Sequence, residues 1–97
     1  MSKNTQYEIM ILLKEEFNET ELKTWAFKYA KKLQNLKASE IAVISRGKRQ
    51  LAYAIDDSKK GNYIQINFGS LPKVVNLFAK KLKFDEGVVR FSIFNAS

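Results

Sequence analysis

From Tyr7 to Leu13 the residues alternate in two rows, Tyr7, Ile9, Ile11 and Leu13 on one side and Glu8, Met10 and Leu12 on the other. A period of two with both rows rich in apolar side chains predicts a central strand. Asn18 then precedes Glu21 by three residues, the spacing at which a capping side chain and a returning glutamate satisfy each other's backbone amides, so a helix starts there. Leu22, Trp25, Ala26, Tyr29, Leu33 and Leu36 follow at steps of three and four and form one apolar stripe. That spacing assigns Trp25 to the core rather than to a base-stacking platform.

From Glu40 to Ile55 the pattern is extended and rich in Ile, Val, Leu and Tyr, with Gly47 as the place for a bulge or tight turn in one long, bent strand. Residues 56–61 are turn and charge, and Asn62 to Phe68 alternates again, with Ile64, Ile66 and Phe68 opposite Tyr63, Gln65 and Asn67. This is a hairpin to a buried strand. Ser70 is the expected cap of a second helix with Pro72 in its first turn, Leu71, Val74, Val75, Phe78 and Leu82 facing inward, and an end near Lys83. After the turn at Asp85-Glu86-Gly87, Val88 to Phe94 reads as a final strand.

Strand, helix, strand, strand, helix, strand at this length is the α+β, ferredoxin-like βαββαβ plan, a four-stranded antiparallel sheet with two helices on one face. The other face is expected to be open and to carry Glu8, Met10, Leu12, Tyr63, Gln65, Asn67, Arg90, Ser92 and Phe94. With 97 residues there is room for one core, so residues 1–97 are read as a single domain whose ordered part spans about 6–94.

Composition narrows the chemistry. The absence of Cys and His removes disulfides, thiolate or imidazole metal sites, and any Ser-His or Cys-His pair. No apolar run approaches the roughly 18 residues of a membrane span, and the first residues lack a secretory pattern, which leaves the expectation of a soluble compartment. The net charge of +7 points to a polyanionic partner, nucleic acid first. Residues 1–40 hold seven Lys and six Glu, whereas residues 41–97 hold ten basic and four acidic residues, so the later elements should carry most of the cationic surface.

The chemistries this plan hosts can be tested one at a time. Lys60 to Phe68 has the basic-Gly start and aromatic end of an RRM's RNP1, but the two positions that need stacking rings hold Asn62 and Ile64. The paired carboxylates Glu15-Glu16, Asp56-Asp57 and Asp85-Glu86 stand in loop or cap contexts and read as solvated. No phosphate-cradling glycine motif is present, and no enzyme, cofactor, small-molecule substrate or metal site is expected.

A binding module remains. Arg46 and Lys48 flank Gly47 with Arg49 beside them, and Lys80, Lys81 and Lys83 crowd the end of the second helix, giving two phosphate-sized clusters. Isolated lysines such as Lys23 and Lys28 read as solvated helix faces. Arg90 is the sole cation of the last strand, and it serves either as a phosphate contact or as a gatekeeper against strand-edge association. Met10, Leu12, Tyr63 and Phe94 on the expected open face mark a protein partner's surface, unless long side chains or a tail cover them.

The stretch Gly47-Lys48-Arg49-Gln50-Leu51-Ala52-Tyr53-Ala54-Ile55 resembles the signature of the small-subunit ribosomal protein six family of bacteria and plastids. Tyr7-Glu8-Ile9-Met10, Gly61 with Tyr63 to Phe68, Pro72-Lys73, and Leu82 through Asp85-Glu86 to Val89-Arg90-Phe91 are similar to that family in order and spacing. The resemblance implies the same fold and a structural component of the small ribosomal subunit, active in translation in a bacterial cytoplasm or plastid stroma. It implies binding to the central domain of small-subunit rRNA as a heterodimer with small-subunit ribosomal protein eighteen, without catalysis. Carried over by position, Arg90 and Lys3 match basic rRNA-contacting positions, and Arg49, Gln50 and Leu51 fall on the strand that meets the partner protein. Lys48, Lys80, Lys81 and Lys83 join the RNA side as electrostatic neighbours, Arg46 joins it from the cation cluster at Gly47, and Met10, Leu12 and Tyr63 of the apolar patch join the partner side. A stand-alone RNA-binding or regulatory module on the same fold is the alternative.

Overall fold

The computed structural model describes residues 4–49 and 61–96. The order is β1 (Thr5–Leu13), α1 (Glu19–Asn35), β2 (Ser39–Arg49), β3 (Gly61–Ser70), α2 (Pro72–Lys83) and β4 (Val88–Asn95). All neighbouring strands pair antiparallel in the spatial order β2-β3-β1-β4, the expected ferredoxin-like sheet.

Register explains the core. Ile11 pairs with Ile64 and Phe91, and Ile9 with Ile66 and Ile93, so one sheet face carries rows of apolar side chains. Against these pack Trp25, Tyr29 and Leu33 from α1 and Val75, Phe78 and Leu82 from α2, so both helices lie on that face. Phe78 is fully buried, with its ring edge-on to Tyr29 at 5.7 Å and tilted against Phe68 at 5.9 Å between ring centres.

The helix ends show what local chemistry decides. At the start of α1 the Glu21 amide donates to Asn18 Oδ1 and the Asn18 amide to Glu21 Oε1, both at 2.8 Å, the capping box that the spacing predicts. At its end Lys37 takes a left-handed conformation (φ 67°), its amide donating to Gln34 O and that of Ala38 to Leu33 O, both at 3.0 Å. The expected Ser70 cap of α2 is corrected. Ser70 completes β3, and its buried hydroxyl donates to Leu71 O at 3.1 Å, while Leu71 is the cap residue with no side-chain bond and Pro72 opens the helix. Proline at the first helical position removes one of the unpaired amides of the helix start, and its fixed φ suits the first turn, so the helix opens there without a side-chain cap.

Gly47 marks the irregularity expected of it. The register of β2 against β3 shifts between Ser45 and Gly47, and Gly47 has φ +77°, a conformation that a side chain would strain. The continuation of that strand beyond Arg49, and the charged turn after it, lie outside the described residues.

Candidate nucleic-acid and partner interface

The sheet face away from the helices is built of three cross-strand rows. Gly47, Tyr63, Leu12 and Arg90 form one, Ile44, Gln65, Met10 and Ser92 the next, and Ala42, Asn67, Glu8 and Phe94 the third. The nine residues expected on this face from the sequence therefore stand on it.

The face carries no helix, as expected, but its centre is less open than the sequence suggests. Leu12 is 2% exposed, Gln65 5% and Tyr63 7%, and of the nine only Phe94 is exposed, at 42%. Three structural features contribute. β1 and β3 are the two central strands, so each residue on them has neighbours on both sides. The Arg46 guanidinium donates to Gln65 Oε1 from both Nε, at 2.9 Å, and Nη2, while Gln65 Nε2 donates to Asn67 Oδ1 at 3.0 Å. Leu12 also lies so close over Gly61 that any side chain there would meet its Cδ1.

The cations divide between the two layers. Arg46, next to the Gly47 bulge on β2, and Arg90 on β4 stand on the helix-free face at opposite edges of the sheet. Three strand spacings separate their backbones, about 14 Å. Arg90 is half-buried and pairs across to Leu12. Lys80, Lys81 and Lys83 are exposed in the last turn of α2, on the helical layer, so their nearness to Arg90 in sequence does not become one cluster. Lys3, Gln50 and Leu51 lie outside the described residues. Lys48 and Arg49 are placed by backbone register alone, opposite Asn62 and Gly61.

The two positions where an RRM would present rings hold buried side chains, Asn62 and Ile64, and the Asn62 amide group donates to Lys14 O at 3.0 Å. Base stacking on this part of β3 is thereby excluded.

Asp85 is not solvated, contrary to what its loop context suggests. Its Oδ2 accepts from the Trp25 indole N–H at 3.0 Å and the Tyr29 hydroxyl at 2.5 Å, and its Oδ1 from the Gly87 amide at 2.7 Å. Partial burial opposes ionisation, but the bonds from Tyr29, Gly87 and Trp25 outweigh it and hold the carboxyl below its ordinary pKa, with Lys28 adding to the effect. Burial, then the hydrogen bond and charge of Asp85, push the Tyr29 phenol well above its ordinary value. Three donors converging on one carboxylate leave it no free role as a base, so the group is a brace between α1 and the α2–β4 turn. The signal available in the sequence was Trp25 and Tyr29 one helical turn apart, with Gly87 two residues after Asp85.

Among the described residues no group of three or more His, Cys, Asp or Glu could hold a metal ion, and no helix is long and apolar enough to cross a membrane.

Comparison with known proteins agrees with this architecture. The sequence model of the ribosomal protein S6 family matches residues 6–95. The chain is 65% identical over 95 residues to the small ribosomal subunit protein bS6c of Trieres chinensis, covering 98% of this chain and 99% of the relative. It is 59% identical over 90 residues to bS6c of Phaeodactylum tricornutum, covering 93% and 92%. The crystal structure of 30S ribosomal protein S6 from Thermotoga maritima superposes with a TM-score of 0.81 at 22% identity, over 97% of this chain and 89% of that one, and shares the fold.

Proposed function

The chain belongs to the ribosomal protein S6 family of the small ribosomal subunit, and from that premise we propose that it binds the central domain of small-subunit rRNA together with small-subunit ribosomal protein eighteen. Its relatives are plastid-type and bacterial, and its place is a ribosome of the plastid stroma or bacterial cytoplasm. The role is structural: the protein orders RNA and catalyses nothing.

The observation that carries the RNA part is the pair Arg46 and Arg90 at opposite edges of one sheet face in a protein of net charge +7. An RNA backbone laid across the strands reaches both cations. Contacts of this kind fix position and orientation but carry little base information, which suits recognition of a folded junction by shape. Lys3 and Lys48 extend the same role, and Lys80, Lys81 and Lys83 add long-range attraction. Met10, Phe94 and Arg49, with Gln50 and Leu51 next in sequence, form the partner's seat, and buried Leu12 and Tyr63 support it from beneath rather than touching it first.

Binding of the full chain to a central-domain rRNA fragment, with and without ribosomal protein eighteen and against a scrambled RNA of equal length, tests this. Tight, selective binding that needs the partner is the expected result. Equal binding to both RNAs, indifferent to the partner, would overturn it.

A further inference from the structure

Beyond its first turn α1 carries Lys23, Lys28, Lys31 and Lys32, and α2 carries Lys73, Lys80, Lys81 and Lys83, with no carboxylate in residues 22–35 or 72–83. Lysines that only solvate a helix are ordinarily interleaved with acidic residues, and a surface of one sign attracts a polyanion. Packing concentrates this charge. Lys28 and Lys32 of α1 and Lys81 of α2 line one depression of about 440 Å³ with Phe84, and Lys80 and Lys81 line a second, of about 480 Å³, with Leu36, Leu77 and Phe84. Phe84 forms the shared wall, and at 80% it is the most exposed large apolar side chain among the described residues. The Tyr29–Asp85 bond ties α1 to the turn after α2 and so fixes the base of Phe84, which directly precedes Asp85. Lys28 is thus part of a cluster, not the isolated lysine that its position in the sequence suggests.

We propose that this groove between α1 and α2 is a second RNA-contact surface, on the layer opposite Arg46 and Arg90, where Lys28, Lys32, Lys80 and Lys81 take phosphates and Phe84 stacks on an unpaired base. It rests on the proposed rRNA-binding function and deepens it. A free aromatic ring set among lysines is the combination that single-stranded RNA uses, the ring meeting a base face and the ammonium groups the backbone. In the first depression Lys28, Lys32 and Lys81 outnumber the two carboxylates, Asp85 and Glu86. Asp85 has its carboxylate engaged by three donors, and Glu86 is exposed. Two cationic layers on one small protein let it hold two RNA segments apart at a fixed distance, which a single sheet face cannot do.

The test compares the full chain with Phe84→Ala and with the fourfold variant K28Q/K32Q/K80Q/K81Q, using the central-domain rRNA fragment with ribosomal protein eighteen present, and measures the protein–protein pairing separately without RNA. Phe84→Ala is expected to weaken RNA binding roughly tenfold, and the fourfold variant to lower the slope of log affinity against log salt by about 3, with protein pairing and melting temperature unchanged. Wild-type RNA affinity and slope in both variants would overturn the second surface while leaving the main proposal standing. Loss of protein pairing with RNA affinity retained would also overturn it, assigning the groove to a protein partner. Failure of the wild-type chain itself to bind the fragment would instead remove the proposed function on which this inference rests.

Discussion

The hydroxyl of Tyr29 donates a 2.5 Å hydrogen bond to Oδ2 of Asp85, 56 positions further along the chain, and the Trp25 indole donates to the same oxygen at 3.0 Å. Trp25 and Tyr29 are stacked with centroids 4.2 Å apart and are 6% and 2% exposed, so a single carboxylate ties the apolar side of α1 to the turn before β4. A charged acceptor of this kind contributes more than a neutral one, and losing it strands three donors, the Gly87 amide included.

Asp85→Asn and Tyr29→Phe are each expected to cost about 1–3 kcal/mol of stability at pH 7, read from denaturant melts. The pH dependence distinguishes the charge from mere packing. The folded pKa of Asp85 is depressed, so its contribution is present above the ordinary carboxylate pKa of about 3.9 and is lost as pH falls through the lower folded value. The stability gap between wild type and Asp85→Asn should therefore narrow on acidification. A gap of constant size from pH 7 to pH 2 would rule out the charged brace. At the alkaline end the Tyr29 phenol keeps its proton when the unfolded chain has lost it, so wild type should lose stability above about pH 10 more steeply than Tyr29→Phe.

Lys37 ends α1 with φ 67°. A side chain in this left-handed region is unfavourable by roughly 1 kcal/mol, and glycine relieves it. Lys37→Gly should accordingly raise the thermal midpoint by a few degrees. A lowered midpoint would mean that the lysine side chain contributes more than its backbone conformation costs.

Leu12 and Phe94 share the helix-free sheet face and differ in what they can report. At 2% exposure, Leu12→Asp buries a charge and should unfold the chain or destabilise it by more than about 3 kcal/mol, whatever the partner does. Phe94, 42% exposed, tolerates Asp within about 0.5 kcal/mol, while pairing with ribosomal protein eighteen should weaken at least tenfold. Unchanged pairing in a folded Phe94→Asp variant would remove that residue from the partner's seat.

These residues also mark how far the sequence could be read. The alternation of Tyr7 to Leu13, the stripe from Leu22 to Leu36 and the Asn18–Glu21 box are local patterns, and the strand, helix and cap appear where they predict. The faces of the sheet were legible for the same reason, because period-two alternation assigns a row to each residue. Burial of Leu12, Tyr63 and Gln65 on the helix-free face was not, since it depends on side chains closing over one another, as where Arg46 reaches across to Gln65. The Trp25–Tyr29–Asp85 brace joins residues some sixty positions apart, and the left-handed Lys37 stands where composition suggests glycine; neither leaves a periodic trace. Family membership was legible from several short segments together, whereas the division of cations between two layers needed the register of β2 and β4 and the packing of α1 on α2.

The central claim is that Arg46 and Arg90 hold rRNA on the sheet face while ribosomal protein eighteen is bound. The most direct measurement is the affinity of the two-protein complex for a central-domain fragment between 50 and 200 mM salt, for wild type and for R46A/R90A. With roughly six phosphates engaged, wild type should lose about a thousandfold in affinity across that range, and the double variant should show a slope lower by about 1.5 and weaker binding at every salt concentration. A double variant with the wild-type slope and affinity would contradict the account.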